Sequence, residues 1–144
     1  MVLEPKRVEW LLDRLLGLKL EFYLWALEKL KGWVDVVAET DDLGHQHSQW
    51  LSPEMFRKFA KPRYSELFHI LKKRFGVKIL FHSCGAVYPF IQDIIEMGAD
   101  ILNPVQISAA RMGGDDGGAG SLSHGGFCAP ARRSAASALP FGRG

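Results

Sequence analysis

Apolar residues recur at helical spacing along the N-terminal part of the chain. Between positions 8 and 16 they repeat every three or four residues, as on the buried face of an amphipathic helix, and a similar face runs from 20 to 30. Pro5 suits the first turn of a helix. Because glycine is unfavourable inside helices, the pattern predicts that Gly17 breaks or bends the run into two helices, and that the second helix ends at Gly32.

After Gly32 the apolar residues form short continuous runs instead. Runs of this kind lie at 34–38, 77–81 and 100–103, and such runs are typical of buried strands. Polar residues follow each run. The pattern therefore predicts three strands, each with polar side chains just beyond its C-terminal end.

Helical patterns separate the predicted strands. Ser52 and Pro53 are suited to the cap and first turn of a helix. That helix is predicted to end at Gly76, a residue type that commonly follows the last turn. A further helix is predicted over 87–97, ending at Gly98.

The predicted order is thus two helices followed by strand, helix, strand, helix and strand. Strands joined through helices run parallel, and polar residues at their C-terminal ends are typical of the active sites of α/β barrels. No glycine-rich dinucleotide or phosphate loop supports an open nucleotide-binding sheet. We therefore predict an α/β fold: about three βα units of a (β/α)8 TIM barrel over residues 1–112. A whole barrel takes roughly 250 residues, so we expect this chain to be part of one.

Residues 113–144 differ in character from the rest of the sequence. Glycine, alanine and serine dominate, arginines are scattered among them, and no periodicity is visible. Such composition predicts an irregular tail. It is either a disordered segment or the translation of a G+C-rich gene in the wrong frame, and in both cases the first 112 residues carry the fold.

Composition excludes several classes of function. The chain has 144 residues, a formal charge of +2, 47% apolar and 24% charged residues. So small an excess of charge favours neither nucleic acid nor a membrane surface as a partner. With two cysteines, no disulfide framework and no signal sequence, we expect a cytoplasmic protein that acts on a small molecule.

His82 and Cys84 are the strongest candidates for chemistry. Residues two apart in a strand point to the same side, so an imidazole and a thiolate at these positions could bind one ion. Zinc prefers this pair of ligand types. The alternative interpretation is a hydrogen-bonded histidine beside a buried, inert cysteine.

Acidic and amide side chains at the other strand ends are further candidates. Asp42 and Glu39 are predicted as catalytic groups, able to orient a metal ligand or handle protons. Asp41, Asn103 and Gln106 are predicted to bind substrate. All five could instead cap loops or satisfy backbone groups. His45 and His47, in contrast, are interpreted as solvated loop histidines.

Four segments of the sequence resemble the uroporphyrinogen decarboxylase superfamily. The resemblance covers about residues 5–112, in matching order. It rests on DDLGHQ at 41–46, LSPEMFRKF at 51–59, FHSCGAVYPFI at 81–91 and GADILNPVQ at 98–106. Members of that superfamily are (β/α)8 barrels, so the resemblance implies the fold that the pattern of elements also predicts.

The resemblance implies one of two chemistries. One branch decarboxylates the acetate side chains of uroporphyrinogen, an early step of porphyrin biosynthesis, without metal or cofactor. The other contains zinc-dependent methyltransferases that transfer methyl groups from a corrinoid protein to a thiol or a similar acceptor. His82 and Cys84 match the H-x-C zinc ligands of the methyltransferase branch, with Asp42 or Glu39 beside them.

The match to either branch is incomplete. The methyltransferases have a further cysteine ligand late in the barrel, and Cys128 lies in a different context. The arginine-rich segment and aspartate of the decarboxylases have no counterpart here. Zinc-dependent methyl transfer with a corrinoid partner protein is therefore the favoured expectation for the parent enzyme, with decarboxylation as its alternative. A third expectation is that this chain alone is a truncated, inactive piece.

Overall fold

The computed structural model describes residues 3–109 and, for their backbone only, residues 127–128. Helices and strands alternate along this part of the chain. The elements in order are α1 (Pro5–Lys29), β1 (Val36–Thr40), α2 (Pro53–Met55), a π-helical turn (Phe56–Ala60), α3 (Lys61–Phe75), β2 (Lys78–His82), a 3-10 turn (Tyr88–Phe90), α4 (Ile91–Glu96), β3 (Ile101–Asn103) and β4 (Phe127–Cys128).

The N-terminal helix is continuous, so the prediction of two helices was wrong. α1 runs for 25 residues without interruption at Gly17. Gly17 lies on the exposed side, with no atom within 4 Å of the place where a Cβ would be. One glycine costs a helix only about 1 kcal/mol, and the apolar face on either side of it packs against a single core. Packing therefore outweighs the local preference.

The sheet has the order β1-β2-β3-β4, and its first three strands are parallel. α3 connects β1 to β2, and α4 connects β2 to β3. This arrangement confirms the predicted α/β class, and it is that of successive units of an α/β barrel. Each strand lies within two residues of its predicted position. β1 is displaced the most and extends through Glu39 to Thr40.

The region predicted to be irregular contains one short strand. β4, two residues long, pairs antiparallel with β3, with Cys128 opposite Ile101. The prediction of an irregular tail stays a prediction for the rest of the segment. The other residues of that segment, and the proposed boundary after Met112, lie outside the described part of the chain.

Aromatic side chains form the contact between the helices and the sheet. Phe56 and Phe90 pack with their ring centroids 5.1 Å apart, and both are fully buried. Five phenylalanines with less than 2% exposure anchor this core: Phe56, Phe59, Phe68, Phe81 and Phe90.

Two helix ends agree with the sequence prediction. The Ser52 side chain accepts a hydrogen bond from the backbone N–H of Met55 at 3.3 Å, as predicted for a helix cap. Gly76 ends α3 with a left-handed φ of 71°.

A buried carboxylate joins α4 to the helices before it. Asp93, only 3% exposed, accepts hydrogen bonds from Arg57 Nε at 3.0 Å and from Lys61 Nζ at 2.9 Å. Burial alone would raise the pKa of Asp93, but the two cationic donors outweigh burial and hold the pKa below its ordinary value. The charged form of Asp93 is therefore part of the folded structure.

None of the described helices combines the length and the apolar character that a bilayer span requires.

Replacing Gly17 should stabilise the protein. Gly17→Ala adds a favourable helix former where the structure leaves open space, so the free energy of unfolding should rise by about 0.5–1 kcal/mol. Urea denaturation followed by circular dichroism would measure this change. Gly32→Ala is the control, since its φ of +84° disfavours alanine and stability should fall. A helix that bends at Gly17 would show no gain from alanine there.

Replacing Asp93 should destabilise the protein in a pH-dependent manner. Asp93→Asn removes a charge that two cations face, so the free energy of unfolding at neutral pH should fall by about 1–3 kcal/mol. A lowered folded-state pKa contributes stability above the unfolded value of about 4, and that stability is lost as the pH falls through the folded-state pKa. The difference between variant and wild type should therefore shrink as the pH is lowered.

Urea titrations between about pH 6 and about pH 3 would follow that difference. Glu66→Gln, at an exposed carboxylate with no ion pair among the described residues, is the matched control and should leave stability unchanged. A gap between Asp93→Asn and wild type that stays constant over this range would contradict the assigned role.

Candidate functional site

Polar side chains line up across the C-terminal ends of the three parallel strands. Thr40, His82 and Asn103 are partners in the sheet register. In β2 the alternate residues Ile79 and Phe81 are fully buried toward the helices. The row Thr40, His82 and Asn103 therefore lies on the opposite face of the sheet, which in a barrel is the interior.

Three potential metal ligands converge just beyond β2. His82 Nε2 lies 3.3 Å from Cys84 Sγ. Asp42 joins this pair, and one ligand atom from each of the three residues lies within 4.8 Å of the others. We call Asp42, His82 and Cys84 the strand-end cluster. The structure thus brings together the two predicted metal ligands and one of the two predicted catalytic carboxylates.

Backbone contacts fix Asp42 beside Cys84. The backbone N–H of Cys84 donates a hydrogen bond to Asp42 Oδ1 at 2.9 Å. One residue earlier, the N–H of Asp41 donates to the carbonyl of His82 at 3.0 Å, which continues the pairing of β1 with β2. The loop after β1 is thereby attached directly to the end of β2, although the two segments are about forty residues apart in sequence.

Asn103 orients the histidine ring. Its Oδ1 lies 3.0 Å from His82 Nδ1, and this oxygen can only accept. Nδ1 therefore donates to Asn103, and Nε2 is the ring nitrogen that faces Cys84. Asn103 was predicted to bind substrate, and that role stays a prediction. Its observed contact is with the ring nitrogen of His82 that faces away from Cys84.

Two glycines allow the two loops to approach. A Cβ on Gly85 would lie 2.6 Å from the carbonyl carbon of Gly44, and a Cβ on Gly44 would lie 2.9 Å from the nitrogen of Ala86. Gly85 also has a φ of +84°. Neither position can accept a side chain without displacing backbone, so these glycines determine the distance between Asp42 and Cys84.

Ser83 and Gln106 complete the attachment between loops. The Ser83 hydroxyl is fully buried and accepts from the N–H of Leu43 at 3.0 Å. Gln106 Oε1 accepts from the N–H of Gly85, and its Nε2 donates to Gln46 Oε1, each at 2.9 Å. Gln106 was predicted to bind substrate, and that role stays a prediction. In the structure both ends of its amide make hydrogen bonds to the protein.

Asp41 points away from the cluster. Its Oδ2 accepts a 2.6 Å hydrogen bond from the hydroxyl of Tyr64, on α3. Burial and the negative charge of Asp41 raise the pKa of Tyr64 well above its ordinary value, so Tyr64 stays a donor at neutral pH. Both residues line a cavity of about 220 Å³ between α1, α3 and the end of β1. A small molecule there would contact Asp41, and its predicted role in substrate binding stays a prediction.

Glu39 lies on the helix side of the sheet. Its side chain, 5% exposed, accepts from the Tyr23 hydroxyl at 2.8 Å and forms an ion pair with Lys19, both on α1. Burial, and then the carboxylate of Glu39, raise the pKa of Tyr23 above its ordinary value. Glu39 makes no hydrogen bond to the strand-end cluster among the described residues. The catalytic role predicted for it is untested, and its position favours a structural one.

The loop histidines stay outside the cluster. His47 is exposed, as predicted, whereas His45 is half-buried and stacks against Trp50 with ring centroids 4.9 Å apart. His45 Nε2 lies 2.7 Å from the Ser48 hydroxyl.

Sequence analysis missed Ser83 and Tyr64, whose hydroxyl groups hydrogen-bond to the loop after β1. A serine at a strand end and a tyrosine in a helix carry no signal of a partner that is distant in sequence.

The fold and this site define a class: α/β-barrel proteins with polar groups at the C-terminal ends of parallel strands. Residues 1–110 match the family model described as uroporphyrinogen decarboxylase (URO-D). The chain therefore belongs to the uroporphyrinogen decarboxylase family, which confirms the resemblance. Searches of curated proteins and of solved structures found no match.

The glycine contact between the two loops can be tested by substitution. Gly85→Ala should lower the free energy of unfolding by about 2–4 kcal/mol, because it combines a left-handed backbone with a collision against Gly44. Gly76→Ala is the matched control, since its φ is also positive but nothing lies within 4 Å. It should cost only about 1 kcal/mol. Equal losses in thermal denaturation would show that the loops do not meet at Gly85.

Proposed function

We propose that this chain carries the zinc-binding half-site of a methyltransferase that transfers a methyl group from a corrinoid partner protein to a thiol acceptor. The observation that carries the proposal is the convergence of one nitrogen, one sulfur and one carboxylate oxygen at the C-terminal ends of the strands. Family membership supports an enzyme of this superfamily and does not distinguish methyl transfer from decarboxylation.

The strand-end cluster fits zinc in ligand type and in spacing. Zinc binds thiolate sulfur at about 2.3 Å and imidazole nitrogen at about 2.0–2.1 Å in a tetrahedral arrangement. Two ligands of such a site stand roughly 3.5 Å apart, close to the 3.3 Å between His82 Nε2 and Cys84 Sγ. The Asp42 carboxylate lies beside this pair, near enough to coordinate the ion or to act on an acceptor thiol held there.

The residues around the cluster would tune the ligands. Asn103 holds His82 with Nε2 free to coordinate. The backbone N–H that donates to Asp42 Oδ1 leaves the other carboxylate oxygen available. A zinc ion bound here would supply Lewis acidity, keeping an acceptor thiol as the thiolate. The thiolate sulfur would take the methyl group as the cobalt–carbon bond of the corrinoid breaks and leaves its electron pair on the corrinoid. Asp42 would orient the acceptor or take up the proton that the thiol releases.

Decarboxylation of a porphyrinogen-type polycarboxylate is the alternative. It calls for cationic side chains that face the substrate. Lys19 and Arg63 line the cavity beside Asp41, but Lys19 is paired with Glu39 and Arg63 with Asp13. Among the described residues of that cavity, each cation thus already has a carboxylate partner. This pairing makes methyl transfer the better-supported function.

Zinc binding is the first test of the proposal. We expect about one zinc per chain by atomic emission. Cys84→Ser should lower zinc affinity by at least about 100-fold, because it removes a ligand. Asn103→Ala should lower it by about 10-fold through loss of the histidine's orientation. His47→Ala is the matched control, an exposed histidine outside the cluster, and should bind zinc as wild type does.

Activity then separates the two chemistries. Transfer from a methylated corrinoid protein to a thiol, abolished by chelator and by Cys84→Ser, is the result expected for the proposed function. Tetrapyrrole decarboxylation that survives both treatments would establish the alternative. A folded protein that binds no zinc and catalyses neither reaction would contradict both and agree with the expectation of an inactive piece.

A further inference from the structure

The three loops at the C-terminal ends of the parallel strands lack charged residues. They comprise positions 43–52 after β1, 83–92 after β2 and 104–109 after β3, and none of these positions is Asp, Glu, Lys or Arg. Charged residues make up 24% of the whole chain. At the opposite ends of the strands, Asp35 directly precedes β1 and Asp100 directly precedes β3. The uncharged loops are therefore a feature of the face that contains the strand-end cluster.

Each of these loops exposes a large apolar side chain. Trp50 in the first loop is 67% exposed, Tyr88 in the second is 60% exposed and Ile107 in the third is 44% exposed. We call these three residues the apolar rim. Depletion of charged residues together with exposed aromatic side chains is the composition found at the centre of protein–protein interfaces. The loops around the cluster therefore have the character of a docking surface.

The two aromatic residues of the rim are held in place by the fold. The backbone N–H of Trp50 donates to the carbonyl of Leu43 at 3.0 Å, and its ring lies against His45 with centroids 4.9 Å apart. Tyr88 begins the 3-10 turn whose last residue, Phe90, is fully buried. Side chains that are already ordered lose little conformational freedom on binding, so these two are suited to anchor a partner.

Hydrogen bonds join the three loops into one surface. Gln49 in the first loop donates from Nε2 to the carbonyl of Ala86 in the second, at 2.8 Å. Gln106 in the third loop accepts from the N–H of Gly85 in the second, at 2.9 Å. Each of these glutamines directly precedes a rim residue in sequence. The rim residues are therefore fixed relative to one another and to the strand-end cluster.

The position of the rim fits a protein that brings a methyl group to the cluster. A methyl group passes from cobalt to sulfur only when the two atoms are brought close together and aligned. The donor protein must therefore contact the loops around Asp42, His82 and Cys84, which are the loops that carry the rim. A small acceptor molecule would need only the cluster and would leave the exposed aromatic residues without a partner.

We propose that the apolar rim is the docking surface of the corrinoid partner protein, an inference that rests on the proposed function. The corrinoid ring is a broad macrocycle edged by neutral amide groups. A face without charged side chains can receive such a ring, and the protein surface around it, without removing any ion from water. The rim thus selects a donor that is carried by a protein.

Methyl transfer from two donors tests the proposal. The full chain is assayed with the methylated corrinoid protein and, separately, with free methylcobalamin, which has the same kind of cobalt–methyl bond without a protein. Trp50→Glu and Tyr88→Glu each place a charge in the interface. Each should lower kcat/KM with the corrinoid protein at least about tenfold relative to kcat/KM with free methylcobalamin. Circular dichroism should show that both variants stay folded, because both side chains are already exposed.

Trp33→Glu is the matched control. Trp33 is 87% exposed but precedes β1, at the opposite end of the strands from the cluster. Its ratio of the two kcat/KM values should equal that of wild type. Sedimentation of the chain mixed with the corrinoid protein should likewise show a complex that Trp50→Glu weakens and Trp33→Glu leaves intact.

The outcomes distinguish this inference from the proposed function. Rim variants that lose the same fraction of activity with both donors, or lose none, would overturn the docking surface and leave methyl transfer standing. A change in the sedimentation of the chain alone in Trp50→Glu would assign the rim to a second copy and also overturn it. A chain that binds no zinc and transfers from neither donor would overturn both proposals.

Discussion

The contact between the backbones of Gly44 and Gly85 determines the geometry of the site. At this point the loop after β1 and the loop after β2 approach so closely that neither residue has room for a Cβ. The hydrogen bonds on either side of the contact depend on that approach. They run from Cys84 N to Asp42, from Leu43 N to the Ser83 hydroxyl, and from Ala86 N to the carbonyl of His45. The strand-end cluster exists because its carboxylate and its thiol belong to two loops held at this distance.

Parallel strands explain why such a contact forms at this edge. Their C-terminal ends meet at one side of the sheet, so side chains distant in sequence become neighbours. The register places Thr40, His82 and Asn103 in one row, and the same register directs Asn103 Oδ1 to the histidine ring. The helices contribute from the opposite face, where Phe68 and Phe81 are fully buried and fix the position of β2.

Much of this arrangement could be predicted from the sequence, and the limits have physical causes. The strands and the Ser52 and Gly76 helix ends follow from local preferences, and local preferences are visible in sequence. His82 and Cys84 could be paired from their spacing, although β2 ends at His82 and Cys84 lies in the loop that follows. Asn103 could not be assigned to the histidine, because their contact depends on the register between β2 and β3. Gly17 misled the prediction, since the packing of α1 on the core outweighs a single unfavourable residue.

Three acidic residues at the end of β1 show how the fold assigns roles that sequence leaves equivalent. Glu39 points to the helix side and is paired with Lys19 and Tyr23. Asp41 turns toward α3 and accepts from Tyr64. Asp42, one residue further, faces His82 and Cys84. Its Oδ1 accepts a hydrogen bond from the backbone N–H of Cys84. Because protein donors already neutralise or bind the first two, the third is the carboxylate that the structure leaves available to an ion or a substrate.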